Sequence, residues 1–269
     1  MINLVLYSDV NYEYQIKNFI DGLSYGGINN FRLFYYTIGF KSTIQNPNVV
    51  CIPWEKNNSL PRFEYYKPGI CLDVLKYTKE KIIFFDSDIL ISKRFHQMSL
   101  TFNKECVMCC TAPMDYPNTY WSDSNGVTYF DEKKYMNYMG VNERTMNYVM
   151  TCFFSYDNQA DDFLEEWKSV CENPYLLKNE RSFFPFKDET IANVLMWKRG
   201  FKENYGRSFI NTHKFSTFKL CEEDDNIQNY LIDNNPYEQC ENSSRVRFYH
   251  GVKVVEENGK ILKYINENS

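Results

Sequence analysis

The sequence predicts an α/β fold in which helices flank a central mixed, mostly parallel sheet. Two observations predict it. Apolar runs alternate with apolar residues at helical spacing, in the order β-α-β-β-α-β over residues 1–88, which is typical of parallel strands joined by helices. Polar and acidic residues directly follow the first and fourth predicted strands, where sheets of this kind bind ligands. We expect a single domain over residues 1–269, with halves at 1–110 and 111–269.

The elements of the first half follow from short-range patterns. Residues 2–7 form an apolar run that ends at Ser8 and Asp9, as a buried strand would. Apolar residues then recur at helical spacing and stop before two glycines: Ile16, Phe19, Ile20 and Leu23. Further strands are predicted at residues 31–37, 48–52 and 81–85. Pro68 suits the first turn of a helix whose buried face would hold Cys71, Val74 and Leu75.

The second half has a less regular pattern. Strands are predicted at residues 105–110, 148–154, 207–211 and 245–249. One amphipathic helix, with Trp167 in its buried face, is expected to stop near Pro174, and another is expected from about Asp188 to Arg199. The polar and aromatic stretch 111–147 predicts a long functional loop or excursion, and residues 212–244 form a further polar segment. Trp167 and Trp197 are expected in the core.

Charge and composition exclude several classes of protein. The net charge is −5 and the densest charge run, residues 222–225, is acidic, whereas duplex binders need a basic face. The chain has no apolar stretch of membrane-spanning length and no basic leader before its first apolar run. Its nine cysteines contain a single C-x-x-C pair, Cys106 and Cys109, without a second pair to complete a zinc site, and predict buried thiols rather than zinc ligands. We expect a cytoplasmic protein with no nucleic-acid partner and no transmembrane segment.

The main candidate for chemistry is the acidic pair Asp86 and Asp88. It is the only D-x-D triplet in the chain and directly follows the apolar strand 81–85. Alternate residues of an extended chain point to one side, so both carboxylates can converge on one cation. Hard divalent ions such as Mn²⁺ or Mg²⁺ prefer oxygen ligands and leave positions open for substrate phosphates. The alternative is a solvated strand end whose acids cap the next turn.

A second candidate lies near the C-terminal end of the sequence. His250 follows the predicted strand 245–249, and Gly251 and Lys253 come just after it. Its imidazole could complete a metal site, and the lysine could neutralise phosphate. The alternative is a structural histidine held by hydrogen bonds.

Four features together resemble glycosyltransferases of the Rossmann-like GT-A fold, in particular family 8, the glycogenin and lipopolysaccharide-galactosyltransferase type. They are the string KIIFFDSDIL, the Lys67-Pro68 helix start, the D-E-x-x-x-N pattern from Asp188 to Asn193, and the H-G-x-K at His250. The resemblance covers most of the chain in order, although only the D-x-D segment is close. The chain departs from the family in having Glu189 where a glutamine is usual, and in a compressed C-terminal motif without Pro-Trp.

The resemblance implies a hexosyltransferase-type enzyme. It would move a sugar from a nucleoside-diphosphate sugar, a UDP-sugar in the first instance, to a hydroxyl of a glycan or another acceptor. Residues 1–110 would bind the donor and residues 111–269 would form the acceptor side. The implied ligands of Mn²⁺ or Mg²⁺ are Asp86, Asp88 and His250. The implied donor contacts are Ser8, Asp9, Tyr12, Lys67, Ser87, Gly251 and Lys253, and the residues facing the reacting sugar are Asp188 and Glu189.

Other interpretations remain open at this point. Asp188 also lies where an aspartate would cap the following helix. A haloacid-dehalogenase-type phosphatase would use Asp86 as its nucleophile, but that class usually has its motif on the first strand. A sugar nucleotidyltransferase would need a glycine-rich loop after the first strand, and residues 8–11 contain no glycine. A non-catalytic sugar-binding protein would bind glycans without metal.

Overall fold

A computed structural model describes most of the chain. The described residues are 1–25, 27–87, 89–91, 108–110, 121–122, 128–129, 132–146, 148–149, 151–184, 187–201, 210–212, 218–219, 246–249, 252–257 and 260–266. The chain divides into two compact units, which are Met1–Glu55 with Ile82–Phe102 and Gly206–Ser269, and Lys56–Lys81 with Asn103–Tyr205. A single domain with halves at 1–110 and 111–269 stays a prediction.

The secondary structure alternates strands and helices through the first part of the chain. The strands are β1 (Ile2–Ser8), β2 (Phe31–Ile38), β3 (Val49–Trp54), β4 (Ile82–Phe85), β5 (Leu90–Ile91), β6 (Met108–Cys110), β7 (Trp121–Ser122), β8 (Thr128–Tyr129), β9 (Phe153–Tyr156), β10 (Ile210–Thr212), β11 (Phe218–Lys219), β12 (Val246–Tyr249), β13 (Val252–Glu257) and β14 (Lys260–Asn266). The helices are α1 (Glu13–Tyr25), α2 (Lys67–Val74), α3 (Lys133–Tyr138), α4 (Asp161–Cys171), α5 (Pro174–Lys178), α6 (Glu180–Phe183) and α7 (Lys187–Lys198).

The first unit contains a parallel array in the order β3-β2-β1-β4. Every residue of β1 after the first is buried, because an interior strand of a parallel sheet is covered on both faces. Helix α1 packs on this array through Phe19, whose ring meets that of Phe85 edge-on at 4.9 Å between centroids. Gly27, with φ of 75°, allows the chain to turn after α1. The β-α-β-β-α-β order predicted from the sequence is confirmed.

The C-terminal strands of the first unit form two further small sheets. Strand β12 lies between β10, with which it is parallel, and β5, with which it is antiparallel. Strands β11, β14 and β13 form an antiparallel sheet. Two predicted strands, 207–211 and 245–249, thus correspond to β10, which begins three residues later and ends one residue later, and to β12, which begins one residue later.

The second unit is built around helix α4, which packs against α2 and α7. Trp167 and Trp197 are buried, as predicted. Strand β9 pairs antiparallel with β6, and the Tyr156 hydroxyl donates to the Cys71 carbonyl at 3.0 Å. The described parts of the segment 111–147 contain the antiparallel pair β7 and β8 and helix α3.

Two other expectations from the sequence are corrected. The strand predicted at 148–154 begins only at Phe153, because side chains of α7 bind the backbone of Val149 and Thr151. Cysteines 71, 152 and 171 are buried as predicted, but Cys51 is exposed, because it lies on β3, at the end of the strand order. Within the described ranges, no helix combines the length and apolarity needed to span a bilayer.

Candidate active site

Three candidate donor residues lie where β1 ends. Ser8 is fully buried, and its hydroxyl is 2.9 Å from the Asp9 carbonyl oxygen and 2.6 Å from the Tyr35 hydroxyl. Asp9 caps the short 3₁₀ turn Val10–Tyr12 by accepting the Asn11 N–H at 2.9 Å. The Tyr12 N–H closes the turn on the Asp9 carbonyl at 3.2 Å. Burial raises the pKa of Tyr35, so its phenol stays neutral beside Ser8.

Glu13 fixes the loop that follows β2. Its carboxylate accepts hydrogen bonds from Ser42 Oγ at 2.5 Å, Thr43 N at 2.7 Å and Thr43 Oγ1 at 2.9 Å. Burial raises the pKa of Glu13, but these hydrogen bonds outweigh it and the pKa lies below its ordinary value. This anchor ties the start of α1 to the loop after the neighbouring strand. No sequence motif marks Glu13, and its place in the first turn of a helix is the one local signal that could have found it.

Asp86 and Ser87 directly follow β4. Strand β4 runs parallel to β1, with Val5 opposite Phe84. The chain therefore leaves both strands at the same edge, with Asp9 after one and Asp86 after the other. Asp9, Asp86 and Ser87 are all half-buried. Asp88 lies outside the described residues.

The C-terminal candidates are related to this edge by strand pairing. Tyr249, the last residue of β12, pairs with Leu90 of β5. In sequence, Tyr249 directly precedes His250, and Leu90 comes two positions after Asp88. His250 and Gly251 lie outside the described residues, and Lys253 lies on β13 opposite Ile265. Within the part of the chain that the structure covers, no three His, Cys, Asp or Glu residues are grouped as metal ligands.

A buried ion pair joins two candidates of the second unit. The Lys67 ammonium lies 3.1 Å from an Asp188 carboxylate oxygen, and the two side chains are 4% and 5% exposed. Lys67 Nζ also donates to the Thr151 carbonyl at 3.3 Å and to its hydroxyl at 3.4 Å. Because the site excludes water, the attraction between the two charges is stronger than it would be at the surface.

Two residues of the D-E-x-x-x-N pattern, Glu189 and Asn193, hold the chain around this pair. Glu189 Oε2 accepts the Thr151 N–H at 2.9 Å. Asn193 accepts the Val149 N–H and donates to the Val149 carbonyl, each at 2.8 Å. Its amide also donates to the Glu189 carbonyl at 2.8 Å. Glu189 and Asn193 therefore bind the backbone at Thr151 and Val149.

That Asp188 caps the following helix stays a prediction. Helix α7 begins at Lys187, so Asp188 lies inside its first turn, and its carboxylate is directed to Lys67. Trp167 Nε1 donates to the Asp188 carbonyl at 3.1 Å. Sequence reasoning found Lys67, Asp188 and Glu189 but missed Thr151, which links them and has no motif of its own.

Comparison with known proteins supports the fold and little beyond it. No family model matches the sequence, and no curated protein matches it significantly. A crystal structure of LgtC, an active-site mutant with glutamate in place of glutamine, matches with a TM-score of 0.51 at 13% identity, over 93% of this chain and 86% of that one. The apo structure of WbbM, a bifunctional glycosyltransferase, matches with a TM-score of 0.53 at 12% identity, over 93% of this chain.

The chain has a GT-A glycosyltransferase fold. The predicted α/β class, with a mixed and mostly parallel sheet flanked by helices, is confirmed. The chain spans 45% of the WbbM chain, so only part of that protein is comparable. Within the GT-A fold, Ser8, Asp9, Tyr12, Asp86 and Ser87 belong to the first unit, and Lys67, Asp188 and Glu189 belong to the second.

Proposed function

We propose that the protein is a metal-dependent glycosyltransferase that moves a sugar from a nucleoside-diphosphate sugar, a UDP-sugar in the first instance, to a hydroxyl acceptor. The pairing of Tyr249 with Leu90 is the observation that carries the proposal. It joins the segment just before His250 to the segment just after Asp88, and the sequence predicts both of these residues separately as metal ligands. The GT-A fold supports the same reaction class.

The chemistry of the predicted ligands fits a hard divalent cation. Asp86 and Asp88 supply oxygen and His250 supplies an imidazole nitrogen, a set that suits Mn²⁺. Asp86 is half-buried where β4 ends, which is favourable for a carboxylate that gains a cation as partner. When bound, the ion would neutralise the charge that develops on the diphosphate leaving group.

The remaining candidates have distinct tasks in this proposal. Tyr12 would stack on the base, and Ser8 and Asp9 would position the nucleoside beside the end of β1. Ser87 and Gly251 would contact phosphate through their backbone or hydroxyl groups, and Lys253 would balance its charge. The Ser8–Tyr35 contact of 2.6 Å supports this assignment, because it holds the strand end rigid.

Asp188 and Glu189 would face the donor sugar as it gains positive charge. A carboxylate is the appropriate group there, because it stabilises an oxocarbenium-like centre electrostatically. Lys67 would fix the orientation of Asp188 through their 3.1 Å ion pair. Glu189 would be held by the Thr151 N–H.

The experiment compares the wild type with Asp88→Ala. Thermal shifts are measured with UDP-, GDP- and CDP-sugars, each with and without Mn²⁺, and donor hydrolysis is measured in parallel. We expect a Mn²⁺-dependent rise in melting temperature with one nucleotide class, and its loss in the variant. Glu165→Gln removes an exposed charge on α4 and should leave both readings unchanged.

Three results would contradict the proposal. Undiminished hydrolysis by Asp88→Ala would reject the metal assignment. A phosphoaspartate trapped at Asp86 would favour a haloacid-dehalogenase-type phosphatase. Glycan binding without any nucleotide or Mn²⁺ effect in calorimetry would favour a non-catalytic sugar-binding protein.

A further inference from the structure

Two solvent-exposed tyrosines on the second unit pack against each other, and we call the pair the tyrosine platform. Tyr138 on α3 is 51% exposed and Tyr175 on α5 is 60% exposed. Their ring centroids are 6.4 Å apart and the ring planes are inclined by 30°. Among the large apolar side chains that the structure describes, exposure above half is otherwise limited to Met1 and Val10.

Buried aromatic rings pack against Tyr138 of the platform. Tyr138 lies edge-on to Phe183, which is buried, at 5.4 Å, and stacks on buried Tyr135 at 6.4 Å. The start of α5 is capped by Asn173, whose side chain accepts the Tyr175 N–H at 3.0 Å. These contacts restrict the Tyr138 ring and the backbone at Tyr175, which lowers the ordering entropy lost on binding.

The charge beside the platform is positive. Lys134 lies one turn before Tyr138 on α3, and its ammonium is 5.0 Å from the Phe183 ring centroid. Lys178, which is exposed, lies one turn after Tyr175 on α5. The nearby acids are engaged elsewhere, since Glu132 pairs with Arg144 and Glu180 pairs with Arg62. In a chain of net charge −5, this leaves a local surface that favours an anionic partner.

We propose that the tyrosine platform binds an anionic oligosaccharide. Exposed aromatic rings suit the apolar C–H faces of pyranoses, because aromatic rings offer large apolar surfaces. Lys134 and Lys178 would pair with carboxylate or phosphate groups of the same chain. A second copy of this protein is a poorer fit, because a two-fold contact would bring the same lysines against each other.

This inference goes beyond the proposed function and is independent of catalysis, because the test uses no donor sugar and no metal. The probe is tetragalacturonic acid, with the neutral maltotetraose as its matched comparison, titrated calorimetrically at low salt. We expect saturable binding of the acidic probe only. Tyr138→Ala and Tyr175→Ala should each weaken that binding about tenfold.

Conservative and remote variants distinguish the loss of ring stacking from a general loss of folded structure. Tyr175→Phe keeps the ring and should bind within about twofold of the wild type. Lys134→Gln should weaken binding and reduce its dependence on salt, because a screened charge pair is lost. Tyr77→Ala removes a tyrosine that is 50% exposed outside the platform and should change nothing.

Several outcomes would overturn the inference. They are equal affinity for maltotetraose, no saturable binding of the acidic probe, or unchanged binding in both alanine variants. A self-association seen by sedimentation and abolished by Tyr175→Ala would assign the platform to a contact between copies instead. Loss of nucleotide-dependent thermal shifts leaves this test unaffected, so the two proposals fail separately.

Discussion

The ammonium of Lys67 lies 3.1 Å from the carboxylate of Asp188. Their side chains are only 4% and 5% exposed to solvent. The two residues come from the starts of different helices, α2 and α7. Lys67 also donates to Thr151, which is itself held by Glu189. The pair therefore belongs to a continuous polar network among buried residues of the second unit.

Replacing Lys67 with methionine should strongly destabilise the protein. The change leaves the Asp188 charge buried without its cation, and breaking such a pair costs about 3–5 kcal/mol. The free energy of unfolding is measured by urea denaturation. Adding Asp188→Asn to the Lys67→Met variant should recover part of the loss, because the buried charge is then removed.

Lys76→Met is the matched control for that experiment. Lys76 pairs with Asp73 at the surface, where the Lys76 side chain is 73% exposed and that of Asp73 is 13% exposed, so water solvates the ammonium and screens the pair. We expect no measurable change in the free energy of unfolding. An equal loss in the two methionine variants would show that burial of the Lys67 pair has no special effect.

Asn193→Ala should destabilise the protein at the Val149 backbone. Asn193 is fully buried and satisfies both the N–H and the carbonyl of Val149. Its removal leaves these backbone groups unpaired in the core, at a cost of about 3 kcal/mol. Hydrogen exchange at the Val149 amide should accelerate in the same variant. Asn137→Ala, at an exposed position of α3, should affect neither measurement.

Glu13→Gln should make the stability of the protein less dependent on pH in the acid range. The pKa of Glu13 is lowered below its ordinary value of 4.5 in the folded state. Its contribution is thus fully present above that ordinary value and is lost as the pH falls through the lower, folded-state pKa. The variant should be less stable than the wild type at pH 7, and the difference should shrink below pH 4.5. A constant difference across that range would contradict the assignment.

Cys51 should react with iodoacetamide much faster than Cys171. Burial raises the pKa of Cys171 well above its usual range, so almost no thiolate forms and the reagent cannot reach it. Cys51 is exposed on β3. Peptide mass mapping of the native protein at pH 8 should show at least a roughly tenfold difference in rate between the two sites. If Cys171 reacted at the same rate in the native protein and in urea, that result would contradict its described burial.

Local patterns were sufficient to predict much of the framework. The apolar run before Ser8 and the run before Asp86 correspond to β1 and β4, because continuous apolar stretches of that length have few alternatives to a buried strand. The strand predicted at 148–154 failed for the opposite reason. Its backbone is bound by side chains of Asn193 and Glu189, which lie far away in sequence, and no local pattern contains that information.

By itself, the sequence determined the order of the elements and the acidic residues that follow β1 and β4, because period, turn residues and strand ends are all encoded within a few positions of one another. Only the tertiary structure decided that Lys67 meets Asp188, that Tyr249 pairs with Leu90, and that Tyr138 and Tyr175 share one surface. Each of these contacts joins residues distant in the chain, and such contacts form when packing and burial overcome the entropy of closing the loop between them.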